Sequence, residues 1–174
     1  MSFSRHQRLL VLAGILLLVG GCRKNYWPGP DVIDADAPSE FTETSSGLRY
    51  RILRRTSGKR PKPDSKVFVH YRGWLDDGED QNNNGQLDEG EDRNNNGKLD
   101  ERTVFDSSYE PGLSKAFIVE QTIAGWIEGL QYVGEGGMIE LEIPAELAYG
   151  EKGSLPLIPA NATLLFRIEL LHVE

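Results

Sequence analysis

Helical spacing occurs once in this 174-residue chain, and that scarcity limits its fold more than any other feature. Ile123, Ile127, Leu130 and Val133 recur at offsets of four, three and three, which places them on one face of a helix. Gly134, Gly136 and Gly137 follow and stop it. Elsewhere the apolar residues alternate, as they do on a half-buried strand. Alternation runs through Leu48–Arg54, Lys66–Leu75, Ala116–Val119, Met138–Ile143 and Thr163–Val173. Many strands and one short helix predict an α+β domain, with the helix covering one face of an antiparallel sheet.

The N-terminal stretch does not belong to that pattern. Arg5 and Arg8 precede an apolar run of eleven residues, Leu9 to Val19. A membrane-spanning helix needs about 20 apolar residues, so this run is too short to span a bilayer comfortably. A basic start, a short apolar core and the small pair Gly20-Gly21 describe an export signal over residues 1–21. Cys22, the sole cysteine, stands directly after that pair, which makes the leader similar to a bacterial lipoprotein signal. Cleavage there leaves Cys22 as a lipidated N-terminus, and the expectation is an extracytoplasmic protein tied to a membrane. An uncleaved anchor with an incidental thiol is the alternative. Residues 22–46 hold Pro28, Gly29, Pro30 and Pro38 among Asp, Ser and Thr, and read as a flexible tether. The domain then occupies 47–174.

The net charge of −8 is concentrated. Residues 79–104 carry eight acids against three bases, within a run rich in Gly and Asn. Acidity without a basic stripe excludes a nucleic-acid partner. The spacing of the acids points to a cation. From Asp80 to Glu91 the chain follows the twelve-residue calcium loop. Asp80, Asn82 and Asn84 supply oxygens at positions one, three and five, and Gly85 makes the turn. Gln86 offers its carbonyl, Asp88 binds directly or through water, and Glu91 closes the loop. The pattern recurs with Asp92, Asn94, Asn96, the Lys98 carbonyl and Asp100, but Thr103 stands where a closing glutamate belongs. No long amphipathic helix flanks either loop, so the insert is similar to the tandem calcium repeats of dockerins and thrombospondin type-3 segments. A disordered acidic loop is the competing reading. With acids at only three ligand positions of the first loop (one, nine and twelve), calcium affinity is expected on the order of 10⁻⁴–10⁻³ M.

Five stretches in order carry a further resemblance. They are Val69-His70-Tyr71-Arg72-Gly73-Trp74-Leu75, Thr103-Val104-Phe105-Asp106-Ser107-Ser108, Ala124-Gly125-Trp126-Ile127-Glu128-Gly129-Leu130, and Ala148-Tyr149-Gly150 followed by Ile158 to Phe166. From about Gly47 to Glu174 the chain resembles the FKBP-type peptidyl-prolyl cis-trans isomerases. The resemblance implies a curved antiparallel sheet wrapped around one short helix, with the calcium-loop segment inserted in a hairpin. It implies catalysis of X–Pro bond rotation without a cofactor, on proline-containing unfolded or partly folded exported proteins. In that pattern Tyr71, Phe105, Trp126 and Phe166 form the walls and floor of the site. Asp106 orients its polar side, and Tyr149 directs its hydroxyl to a substrate carbonyl. Thr122 and Ile123 supply an edge, and Leu157 and Ile158 an apolar flap. His70 alternates away from Tyr71 and reads as structural, while His172 has no assigned role. Two departures qualify the pattern. Lys115 or Ala116 stands where some members carry another aromatic wall, and Ser154 where some carry a histidine.

These residue types suit the reaction. The barrier to rotation, roughly 18–20 kcal/mol, is the partial double bond itself. The twisted amide has lost conjugation, so a dry apolar surface sparing in hydrogen bonds favours it over the planar, solvated form. The alternative function is a calcium-dependent client-binding module that uses the isomerase fold as a scaffold.

Overall fold

The structure is a computed structural model, and it describes residues 32–77, 102–109 and 112–174. The export signal over 1–21, Cys22 and every calcium-ligand candidate from Asp80 to Asp100 lie outside those residues. Among the described residues, β1 (Thr42–Glu43), β2 (Arg49–Arg54), β3 (Lys66–Leu75), β4 (Val104–Ser107), β5 (Lys115–Ile118), α1 (Ala124–Gly129), β6 (Met138–Ile143) and β7 (Leu164–Val173) follow in order. The seven strands form one antiparallel sheet in the order β1-β2-β6-β7-β3-β4, with β5 also paired to β3. β3 is therefore flanked by β7 along one edge and by β5 and then β4 along the other.

Alternation decides which face is the core. Val67, Val69 and Tyr71 of β3 and Leu164, Phe166, Ile168 and Leu170 of β7 are buried on the inner face, with Ile139, Leu141 and Ile143 of β6. Each fully buried aliphatic side chain contributes about 1.5–3 kcal/mol, so these strands supply most of what holds the sheet to the helix. The outer face carries a cross-strand charge ladder. Arg49 pairs with Glu142, Arg51 Nε donates to Glu140 at 2.6 Å, and Arg167 Nη2 donates to Glu140 at 2.7 Å. Such pairs contribute roughly 0.2–1 kcal/mol each and fix register more than stability.

The helix is shorter than the spacing predicts. α1 has six residues, and the chain continues from Leu130 to Tyr132 as a single tighter turn. A helix of that length has no stability of its own in water, so packing must hold it. Gly125 shows how closely it packs: a Cβ there would lie 2.4 Å from Ile143 Cγ2. Leu130 and Val133 remain buried beyond the end of α1, so the periodic face outlasts the regular helix.

Part of the stretch read as a tether lies along the sheet. Thr42 and Glu43 pair with Tyr50 and Arg49. Asp34 N–H donates to the Leu53 carbonyl at 2.8 Å, and Asp34 Oδ2 accepts the Arg55 N–H at 2.7 Å. Phe41 sits beneath the guanidinium groups of Arg49 and Arg51, at 5.3 and 4.8 Å from its ring centre.

Candidate active site

Trp126 lies at the centre of an aromatic cluster. It enters from the first turn of α1, which starts where the Trp126 and Ile127 N–H groups donate to the Ile123 carbonyl at 2.9 and 3.1 Å. The indole meets Tyr71 of β3 at 5.4 Å, Phe117 of β5 at 5.5 Å and Phe166 of β7 at 5.2 Å, all nearly edge-on. Phe105 of β4 extends the cluster by an edge contact with Phe166 at 5.5 Å. Edge-to-face pairs add about 0.5–1.5 kcal/mol each beyond their burial, and they hold each ring in one orientation. Trp126 Nε1 is buried with no hydrogen-bonding acceptor among the described residues. The floor of the cluster therefore offers carbon surface and ring faces.

Gly73 lets the rings approach. A Cβ on Gly73 would lie 2.6 Å from Phe105 Cζ and 2.8 Å from Phe166 Cε1. The register between β3 and β4 shifts at the same point, between Gly73 and Trp74. A bulge there re-aims the strand that carries Phe105 and Asp106.

One polar pair borders this apolar surface. The Tyr71 hydroxyl donates to Asp106 Oδ2. Burial, reinforced by that hydrogen bond and by the negative charge of Asp106, pushes the Tyr71 phenol well above its ordinary range. The phenol therefore keeps its proton and remains a donor to the carboxylate. Asp106 is itself exposed.

Tyr149 is 41 % exposed and stands just before a tight turn, Gly150–Lys152. The flap that follows closes on itself. Ser154 N–H donates to the Ile158 carbonyl at 2.8 Å, and Ile158 N–H returns to Ser154 at 3.0 Å. Ile158 packs into the core at 5 % exposure, while Leu157 is 60 % and Leu155 78 % exposed. The two flap residues singled out in the sequence thus face opposite ways. Thr122 spends its hydroxyl on the Val119 carbonyl at 2.6 Å and holds the turn before α1. Ile123 packs against the core cluster.

The structure therefore brings Tyr71, Phe105, Asp106, Trp126 and Phe166 together; Ile123 and Ile158 pack with the core, while Tyr149 and Leu157 are exposed. Phe117 is the member that sequence reasoning missed. The signal was present in the alternation of Ala116–Val119, because Phe117 pairs with Val67 and shares its inward side. His70 lies on the opposite side of β3 from Tyr71, with its ring stacked on Tyr109 at 5.1 Å. His172 Nδ1 lies 3.0 Å from Glu135 Oε2 at the surface.

An antiparallel sheet packed on one short helix, with an aromatic cluster centred on an indole, defines the class of fold. Residues 57–171 match the model of the FKBP-type peptidyl-prolyl cis-trans isomerase family, and the chain belongs to that family. It is 39 % identical over 131 residues to an FKBP-type isomerase, FkpA, of Buchnera aphidicola, spanning 75 % of this chain and 42 % of that protein. The crystal structure of FkpA from Escherichia coli superimposes with a TM-score of 0.62 at 36 % identity, over 79 % of this chain and 53 % of that one. A peptidyl-prolyl isomerase structure from Pseudomonas syringae gives a TM-score of 0.59 at 27 % identity, over 77 % and 80 % of the two chains. The chain spans about half the length, or less, of the curated FkpA relatives it matches.

Proposed function

We propose that this chain accelerates cis-trans rotation of X–Pro bonds in exported, incompletely folded proteins. The observation that carries the proposal is the ring cluster around Trp126, bordered by the single Tyr71–Asp106 hydrogen bond. The proline ring of the substrate stacks on the indole, with Phe105, Phe117 and Phe166 as walls. Water is excluded there, which removes the solvation that favours the planar amide. Asp106 fixes the Tyr71 ring through its hydroxyl and sets the polarity of that border. Tyr149, on the exposed rim, holds the rotating carbonyl oxygen by its hydroxyl, and the Ile123 N–H anchors the neighbouring peptide group. No proton is transferred and no covalent intermediate forms, so binding the twisted state is the whole of the catalysis.

Two finer parts of the proposal rest on the sequence. The 79–104 insert binds Ca²⁺ through Asp80, Asn82, Asn84, Gln86, Asp88 and Glu91, and a second loop follows from Asp92 to Asp100. Among the described residues no group of three or more His, Cys, Asp or Glu is arranged for a metal. The neck of the insert is nevertheless closed, since Thr103 N–H donates to Asp77 Oδ1 at 2.8 Å and Arg102 Nε lies 3.5 Å from Asp76 Oδ1. Ordering by calcium would thus reach Phe105, two residues beyond the neck. The other part is membrane attachment through a lipid on Cys22, which keeps the domain outside the cytoplasm. Among the described residues no helix is long and apolar enough to cross a membrane.

The exposed Leu155 and Leu157 beside Tyr149 favour a second reading, the holding of unfolded clients on an apolar lip. Isomerisation of an X-Pro peptide by residues 23–174 tests the first reading directly. Tyr149→Phe and Asp106→Ala are expected to lower it at least tenfold, roughly the effect of one lost transition-state contact. Client protection that survives in those variants establishes holding as a separate role. A wild-type domain with no rotamase activity overturns the enzyme and leaves holding as the function.

A further inference from the structure

β3 changes its edge partner in mid-strand, and Tyr71 stands at the change. From Lys66 to Val69 the partner is β5, and from Arg72 to Trp74 it is β4. The Tyr71 N–H and C=O point to that same edge, between the two partners. A buried backbone pair left open there would cost as much as a lost hydrogen bond at each group. Ser108, fully buried at 0 % exposure, closes the gap. Its N–H donates to the Tyr71 carbonyl at 2.9 Å, as in an ordinary antiparallel ladder. The return bond is different. The Tyr71 N–H donates to the Ser108 hydroxyl oxygen at 2.8 Å instead of to the Ser108 carbonyl. The same hydroxyl donates back to the Tyr71 carbonyl at 3.3 Å and lies 3.1 Å from His70 Nδ1.

This substitution of a side-chain oxygen for a backbone one has a geometric consequence. It satisfies Tyr71 while releasing the chain from the ladder, so that Tyr109 turns away to stack on His70 and donate to Glu169 Oε2 at 3.1 Å. Ser108 is two residues from Asp106, and Tyr71 donates its hydroxyl to Asp106. One serine thereby fixes the backbones of both partners in the Tyr71–Asp106 pair that borders the ring cluster.

We infer that Ser108 is a positioning residue for catalysis, acting through Tyr71 by holding its main chain so that the phenol meets Asp106. The inference rests on the isomerase reading of the site. Ser108 touches neither substrate nor the rotating bond in this account, so its effect must pass through Tyr71.

A double-mutant cycle tests that dependence. Ser108→Ala is expected to lower kcat/KM roughly tenfold, an order below the loss from a full ångström of misplacement. In a Tyr71→Phe background, where the hydroxyl is already gone, the same change is expected to cost less than about twofold. Equal losses in both backgrounds overturn the inference, because they make Ser108 a general prop. Amide hydrogen exchange supplies a readout independent of activity. The Tyr71 N–H should be protected in the wild type and exchange faster in Ser108→Ala than neighbouring amides of β3 do. An unchanged Tyr71 rate overturns the assignment. Should Ser108→Ala fail to fold, the wild type decides: exchange through global opening supports the clamp, and exchange at an unprotected rate refutes it. A wild-type domain without rotamase activity removes the catalytic consequence, while the exchange data still show whether the clamp exists.

Discussion

Gly73→Ala isolates the packing of the aromatic rings from every polar contact of the site. Gly73 lies within β3, where an alanine suits the backbone, so the added methyl acts only on what it touches. It would sit 2.6 Å from Phe105 Cζ and 2.8 Å from Phe166 Cε1. Carbon atoms pack without repulsion at about 3.5–4.0 Å, so both rings must retreat by roughly 1 Å. Phe166 is buried at 5 % exposure and edge-on to Trp126, which leaves it little room. Overpacking of this kind costs about 1–3 kcal/mol, which lowers the melting temperature by on the order of 5–10 °C in a domain of this size. Displacement of a wall by about 1 Å is also expected to reduce kcat/KM by roughly 10²-fold. The assay is proline isomerisation on an X-Pro peptide well below the melting point, beside a thermal unfolding curve. A variant that loses stability yet isomerises within about twofold of the wild type would show that ring placement does not govern catalysis. Phe105→Leu in the same chain relieves the 2.6 Å contact but not the one to Phe166, so it should recover part of the stability without recovering activity, since the wall itself is then missing.

Phe117→Ala should lower both stability and kcat/KM, because it removes the ring that meets Tyr71 at 6.0 Å and Trp126 at 5.5 Å; unchanged peptide turnover would remove Phe117 from the site. Calcium should raise the melting temperature. At 100 times the dissociation constant the gain is about 2.7 kcal/mol, and identical unfolding curves with calcium and with chelator would end the metal reading of the insert. Glu169 makes stability depend on pH. Burial pushes its carboxyl above the ordinary 4.5, against the opposing pull of Arg54 and Tyr109. A folded-state value above the unfolded one means that this group favours the fold most below pH 4.5, and that the benefit drains as pH rises through the folded value. The stability advantage of wild type over Glu169→Gln should therefore shrink from acid to neutral pH in chemical unfolding; an advantage that grows with pH would refute the sign.

The sequence disclosed what local pattern controls, and concealed what depends on pairing between distant strands. Alternation along β3 and β7 put Tyr71 and Phe166 on one face, and the family pattern put Trp126 with them in the walls and floor of the site. Phe117 belongs to the same surface: alternation sets it on one side with Val119, and its pairing with Val67 makes that side the inner one. Ser108 was read as part of a motif without a task, because its task is to replace a backbone acceptor at a change of partner that no local signal marks. Glu169 interrupts an apolar run and would be placed in solvent by alternation. It is fully buried because Arg54 from β2, at 2.7 Å, and Tyr109, after β4, converge on it. The segment from Asp34 to Glu43 has the composition of a tether, and the partners that hold its described part to the sheet lie in β2 and just beyond. The helical spacing outran the helix because Leu130 and Val133 pack inward whether the turn beneath them is regular or tight. The inner face, where burial is periodic, was thus legible one strand at a time. The polar fastenings at its borders each join segments remote in sequence, and those fastenings hold the strands that carry the rings.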